Sequence, residues 1–133
     1  MADVRGTLKP CGCSPDLQRG GVDRVAHYAK HVRKTEPNLP MFHAGDLLVD
    51  DEGAPKQLRA QIKRKAQTLG LAFREMGLTA ATLGENDVAT DPALLATMLA
   101  QMPMPIVVSN AAGSWAGHVK PSFITRVGGI RIG

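Results

Sequence analysis

Two short apolar segments that each run into acidic residues constrain the fold of this 133-residue chain most strongly. Residues 39–44 lead into Gly45-Asp46, and residues 78–83 lead into Gly84-Glu85-Asn86-Asp87. Open parallel sheets hold their functional side chains just beyond the carboxyl ends of the strands. The two segments therefore predict either one pole where carboxylates and an amide converge, or two ordinary strand-to-loop turns for which Gly-Asp has suitable turn chemistry.

The remaining segments predict helices that alternate with strands. Apolar side chains recur at helical spacing, and Asp91-Pro92 combines an N-cap with a proline at the first helical position. In chain order we expect a Gly/Pro-rich loop at 6–21, helices at 22–34 and 56–76, a third helix from 92 to about 102, a strand at 106–108, and a hairpin across Gly128-Gly129. This order predicts an α/β fold with mostly parallel strands and a C-terminal antiparallel hairpin.

The composition is that of a globular domain. Hydrophobic residues make up 44% of the chain and charged residues 21%, and no apolar segment approaches the length that spans a bilayer. Residues 56–65 carry much of the net charge of +4, and such a basic segment can contact the phosphates of a nucleic acid. The apolar stripe through the same segment favours a solvated helix face instead, so no nucleic-acid partner is predicted.

Cys11-Gly12-Cys13 holds both cysteines of the chain. The spacing differs from the Cys-x-x-Cys half of a zinc ribbon, and there is no second pair to complete four ligands. Three interpretations remain open for Cys11 and Cys13: a strained local disulfide, a contact to a soft metal, or two thiols without a joint role.

Taken in order, these motifs resemble the calcineurin-like metallophosphoesterases, specifically their 5′-nucleotidase-like branch. Members of that family carry three sequence motifs in the order Asp-x-His, Gly-Asp and Gly-Asn-His-Asp/Glu, and each motif follows a strand. Here Asp3-Val4-Arg5, Gly45-Asp46 and Gly84-Glu85-Asn86-Asp87 stand in those places, and residues 106–110 resemble the next strand, which ends in asparagine. The resemblance implies part of the αββα metallophosphoesterase sandwich. It also implies that residues 1–133 form a single partial domain, the N-terminal half of the catalytic domain, truncated at both ends.

The resemblance also implies a site and a reaction. Two divalent ions, such as Mn, Fe or Zn, would clamp a phosphate ester or nucleotide and activate a water. Asp3 would hold one ion, Asp46 would bridge both, and Glu85 would stand in the place of the family's asparagine ligand. Asn86 and Asp87 occupy the catalytic position, where the family has a histidine that protonates the leaving group and an acidic residue that orients it.

Two departures from the family pattern bear on activity. Arg5 replaces a histidine ligand with a permanent cation that has no lone pair, and it would either repel the first metal or stand in for its charge. Asn86 cannot act as a general acid, a contribution typically worth about 100-fold or more. We expect Arg5, His43 and Asn110 beside the substrate or behind the ligands.

Two functions therefore remain. One is a metal-dependent phosphoesterase of nucleotide catabolism, active in its complete form and weak or inactive as this chain. The other is a divergent, non-catalytic domain of the same fold that binds phosphate or nucleotide. The Cys-Gly-Cys loop is similar to that of a cysteine-containing subgroup of exported relatives, which implies a periplasmic or exported protein. The sequence does not indicate an oligomeric state.

Overall fold

The computed structural model describes residues 1–10, 12–18, 20–50 and 55–133. The helices are α1 (Val22–Val32), α2 (Arg59–Glu75), α3 (Glu85–Val88) and α4 (Pro92–Leu99). The strands are β1 (Phe42–Ala44), β2 (Ala80–Thr82), β3 (Thr125–Val127) and β4 (Ile130–Ile132). Short 3₁₀ turns occur at Pro15–Leu17, Lys56–Leu58 and Ala116–His118. The α/β fold with alternating helices and strands is confirmed.

Parallel pairing organises the first two strands and their neighbours. β1 pairs with β2 in parallel, with His43 opposite Ala81. The amino-terminal residues run beside β1, where the Ala44 N–H donates to the Met1 carbonyl over 2.9 Å. On the other side, Ala81 forms a parallel bridge to Ile106. Four chain segments thus end at the same edge of the sheet.

The C-terminal hairpin is antiparallel, as predicted. β3 pairs with β4, with Thr125 opposite Ile132 and Val127 opposite Ile130. The turn between them is Gly128-Gly129, and both glycines have positive φ, a backbone conformation that costs glycine little.

Helix α2 supplies much of the core. Its predicted apolar stripe is buried at Ile62, Ala66, Leu69 and Phe73, whereas Leu58 lies before the helix and is exposed. Helix α2 packs against α1 and α4. Lys63 and Arg64 face solvent, as the amphipathic pattern predicts. No helix in the described ranges is long and apolar enough to cross a membrane.

The structure corrects several element boundaries. Residues 6–21 were expected to lack regular structure, but Pro15–Leu17 form a 3₁₀ turn. Helix α1 ends at Val32 rather than at about 34, because the next N–H groups, of Lys34 and Thr35, donate three residues back and form tighter turns. Residues 106–108 form only isolated bridges instead of a strand. Helix α3 was not predicted, and three of its four residues belong to the acidic motif. Residues 51–54, which precede the predicted helix at 56–76, lie outside the described residues.

Candidate functional site

The carboxyl ends of β1 and β2 bring together the acidic motifs that lie about forty residues apart in the sequence. The Asn86 N–H donates to Asp46 Oδ1 over 3.1 Å, and the Leu47 N–H donates to Asp87 Oδ2 over 2.7 Å. Parallel pairing explains this approach, because both strands leave the sheet at one edge. Of the two alternatives that the sequence left open, the structure therefore shows the convergence of carboxylates and an amide. We call this cluster of Asp3, Arg5, Asp46, Asn86 and Asp87 the strand-end pole.

Asp46 is a buried charged residue of the strand-end pole. Only 6% of it is exposed, and among the charged residues of the pole only Asp87 is more deeply buried. Its Oδ1 accepts the Asn86 backbone N–H, and its Oδ2 accepts the Asn86 Nδ2 over 2.8 Å. Arg5 Nη2 lies 3.5 Å from the same Oδ2. A Cβ atom at Gly84 would overlap both Oδ1 and the backbone nitrogen of Asp46, so only glycine fits there. Neighbouring backbone and three donors therefore surround this carboxylate.

Left-handed backbone conformations concentrate at this pole. Among the described residues, the non-glycine residues with positive φ are Asp3, Arg5 and Asp46, at 52°, 48° and 47°. Such conformations cost about 1 kcal/mol or more each and persist where surrounding structure enforces them. Here the Asp3 N–H donates to the Gly45 carbonyl over 3.1 Å, and the Arg5 N–H donates to the Asp46 carbonyl over 2.8 Å. These two backbone hydrogen bonds hold residues 3–5 beside residues 45–46, so that Arg5 lies next to Asp46.

Asp87 stabilises the backbone around the strand-end pole by hydrogen bonding. It is completely buried, and its carboxylate accepts the backbone N–H groups of Leu47, Leu48, Val49 and Gly84 over 2.7–3.3 Å. Burial raises the pKa of Asp87, while the four donated hydrogen bonds oppose that rise. By accepting the Gly84 N–H over 3.1 Å, Asp87 also satisfies a backbone donor at the start of α3. This network places Asn86 against Asp46, and the catalytic role of Asn86 and Asp87 stays a prediction.

His43 lies in the core instead of facing solvent. The residue is 2% exposed, and its ring centroid is 6.3 Å from that of Phe73 on α2. Neither ring nitrogen has a hydrogen-bond partner within the described part of the chain. Burial lowers the pKa of His43 to about 4, helped by the amino terminus and opposed by Asp3 and Asp46. His43 is therefore neutral at pH 7 and packs behind the strand-end pole.

Several predicted site residues lie at the surface, among them Asp3 of the strand-end pole. Asp3, Glu85 and Asn110 are exposed. Cys13 is also exposed, but Cys11 lies outside the described residues, so the predicted disulfide or metal contact stays a prediction. A cavity of about 340 Å³ opens beside Asp3, and Met1, Thr7, Gly21 and Val22 help to line it. This volume is in the range of small-molecule sites.

The residues of the strand-end pole do not, as arranged, fit a two-metal centre. Within the described residues, no three His, Cys, Asp or Glu side chains form a group that could hold a metal. In the family pattern, the two oxygens of Asp46 would bridge two ions. Here both oxygens accept N–H groups of Asn86, and the guanidinium of Arg5 lies beside Oδ2. The assignment of Asp3, Asp46 and Glu85 as metal ligands therefore stays a prediction.

Sequence reasoning missed the ion pair between Arg5 and Asp46 and the four-donor role of Asp87. A signal for the first was present, since Arg5 occupies a ligand position of the family motif. No local signal pointed to the second, because Asp87 bonds to three residues that lie about forty positions earlier.

Comparison with known proteins supports the fold. No protein family model matches the chain, and no curated protein matches it by sequence. Among solved structures, a 5′-nucleotidase precursor from Thermus thermophilus aligns with 98% of this chain at 22% identity and a TM-score of 0.74. The NAD nucleotidase (NadN) of Haemophilus influenzae aligns with 98% at 19% identity and a TM-score of 0.73.

The alignments cover only 26% and 24% of those two proteins, so this chain spans about a quarter of their length. At these identities the likeness establishes the fold, and it agrees with the resemblance of the motifs to the 5′-nucleotidase-like branch. The chain therefore has the metallophosphoesterase fold found in these two nucleotidases.

Proposed function

We propose that this chain is a divergent domain of the metallophosphoesterase fold that binds the phosphate group of an ester or nucleotide without hydrolysing it. The observation that carries the proposal is the state of Asp46, whose two oxygens accept donors from Asn86 and whose negative charge is paired with Arg5. A carboxylate engaged in this way is poorly placed to bridge two metal ions.

Arg5 is the group that we expect to contact the phosphate. Its side chain is 47% exposed, and Nη2 contacts Asp46 Oδ2 at 3.5 Å. A guanidinium has five N–H donors in a planar fork, so an arginine that pairs with one carboxylate oxygen still has donors for a phosphate. The cavity beside Asp3 offers adjacent space for the rest of the ligand.

Binding of AMP, inorganic phosphate and adenosine to the full chain, measured by calorimetry, tests this proposal. AMP and phosphate should bind, whereas adenosine should bind at least about tenfold more weakly than AMP because it lacks the charged group that pairs with arginine. Arg5→Ala should weaken AMP binding by about tenfold or more, and Arg126→Ala, which removes an exposed arginine of the hairpin, should not. Equal AMP affinity in wild type and Arg5→Ala would contradict the proposal.

A second candidate function is metal-dependent hydrolysis of phosphate esters by a longer protein that contains this chain. The shared fold with two nucleotidases favours it. Asp3, Asp46 and Glu85 would then hold ions together with groups supplied from beyond the chain, and Asn86 and Asp87 would occupy the catalytic position. Metal content and turnover of a chromogenic phosphodiester distinguish the two candidates: stoichiometric metal with turnover supports hydrolysis, and AMP binding without turnover supports the first proposal.

We also propose that the protein is exported. The resemblance of the Cys-Gly-Cys loop to that of exported relatives supports this, as does the likeness of the fold to that of a nucleotidase precursor from Thermus thermophilus. Fractionation of cells that express the gene in its native form tests it. Recovery of the protein only in the cytoplasm would contradict export.

A further inference from the structure

We propose that Arg5 is a built-in counter-cation that takes the place of a divalent metal beside Asp46, so that the native strand-end pole excludes metal ions. The starting observation is the burial of the Asp46 side chain, of which 8% is exposed. A carboxylate that has lost most of its water needs a compensating charge or hydrogen bonds. In this chain the compensating charge is supplied by Arg5.

The contacts of Asp46 leave little room for an ion. Oδ1 accepts the Asn86 backbone N–H over 3.1 Å, and Oδ2 accepts Asn86 Nδ2 over 2.8 Å and lies 3.5 Å from Arg5 Nη2. A carboxylate has about four lone-pair sites, and Oδ2 already faces two donors, so a cation that coordinates Oδ2 would have to displace Asn86 Nδ2 or Arg5 Nη2. The neutral amide of Asn86 and the cation of Arg5 thus satisfy the carboxylate without a metal.

The backbone delivers Arg5 to this position. The Arg5 N–H donates to the Asp46 carbonyl over 2.8 Å, and the next residue, Gly6, donates to the Leu47 carbonyl over 3.2 Å. A Cβ atom at Gly6 would overlap the Leu48 carbonyl oxygen, and φ of Gly6 is +66°. The backbone at Gly6 therefore lies closer to the backbone of residues 47–48 than any residue with a side chain would allow. This approach fixes the Arg5 Cα beside Asp46.

The charge of Arg5 is permanent, because a guanidinium does not lose its proton in a protein. A fixed positive charge a few ångströms from the carboxylate repels a divalent ion, and partial burial limits the screening of that repulsion by water and salt. The inference concerns the same pole as the proposed function but does not require that a nucleotide binds there.

Binding of Mn²⁺ to the full chain, measured by equilibrium dialysis with elemental analysis, tests the inference. The variants are Arg5→Gln, which removes the charge, Arg5→Lys, which keeps it, and Arg126→Gln as the control for loss of an exposed arginine. Arg5→Gln should bind Mn²⁺ at least about tenfold more tightly than wild type, since a neighbouring like charge is gone. Arg5→Lys and Arg126→Gln should match wild type. Adding Asp46→Asn to Arg5→Gln should abolish the gain.

Two results would overturn the inference. One is stoichiometric Mn²⁺ in the wild-type chain that is lost in Asp46→Asn. The other is a folded Arg5→Gln chain, as judged by circular dichroism, that binds no more Mn²⁺ than wild type. If Arg5→Gln does not fold, Arg5→Ala, which also removes the charge and adds no ligand, replaces it: tighter Mn²⁺ binding than wild type supports the inference, and wild-type binding refutes it. No AMP is present in these measurements, so failure of nucleotide binding is a separate result.

Discussion

Replacement of Asp87 by asparagine should strongly destabilise the fold. Each carboxylate oxygen of Asp87 accepts two backbone N–H groups: Leu48 and Val49 donate to Oδ1, and Leu47 and Gly84 donate to Oδ2. Asparagine keeps one oxygen and substitutes an NH₂ group for the other. Whichever way the amide turns, two backbone donors lose their acceptor and face another donor.

The magnitude follows from those two lost hydrogen bonds. A hydrogen bond to a charged group is worth about 1.5–3 kcal/mol, so the loss is about 3–6 kcal/mol. Removal of a buried charge returns part of this, and we expect a net decrease of about 3 kcal/mol in the free energy of unfolding. Domains of this size are stable by only about 5–15 kcal/mol, so the change is large.

Urea unfolding followed by circular dichroism measures this difference. Asp16→Asn is the matched control, because Asp16 is exposed and the substitution changes the net charge by the same amount. The control should stay within about 0.5 kcal/mol of wild type. A decrease below about 1 kcal/mol for Asp87→Asn would refute the view that its four hydrogen bonds hold the loop after β1.

Three further predictions concern stability. The pKa of His43 is lowered from 6.5 to about 4, so the unfolded chain binds more protons between these values, and the free energy of unfolding should fall by about 3 kcal/mol as pH drops through that window. Urea titrations at several pH values should show a flatter dependence for His43→Leu, and an unchanged slope would contradict this. Gly84→Ala should cost about 3 kcal/mol or more in thermal unfolding, since its Cβ overlaps Asp46, whereas Gly117→Ala, with open space around its Cβ, should be nearly neutral. Asp91→Ala should lower the melting temperature by loss of the cap to the Leu94 N–H, and equal melting temperatures for Asp91→Ala and Asp91→Asn would argue against capping, because asparagine also caps helices.

Much of the fold follows from signals within a few residues of each other. Helical spacing predicted α2 and its buried stripe, and the cap-and-proline pair predicted the start of α4 at Pro92. The double glycine predicted the hairpin between β3 and β4. These features were predictable because periodicity, capping and turn conformation are local properties of the backbone.

The sequence by itself also determined which residues could meet at the strand-end pole, because strands that alternate with helices pair in parallel and leave the sheet at one edge. It did not determine what those residues do to one another. The ion pair of Arg5 with Asp46 and the three bonds from residues 47–49 to Asp87 join residues about forty positions apart, and the burial of His43 depends on a packed helix. Such contacts depend on distances of a few ångströms that only tertiary packing sets. For that reason Asp46, which reads in sequence as a metal ligand, is in the folded chain a carboxylate already paired with a cation.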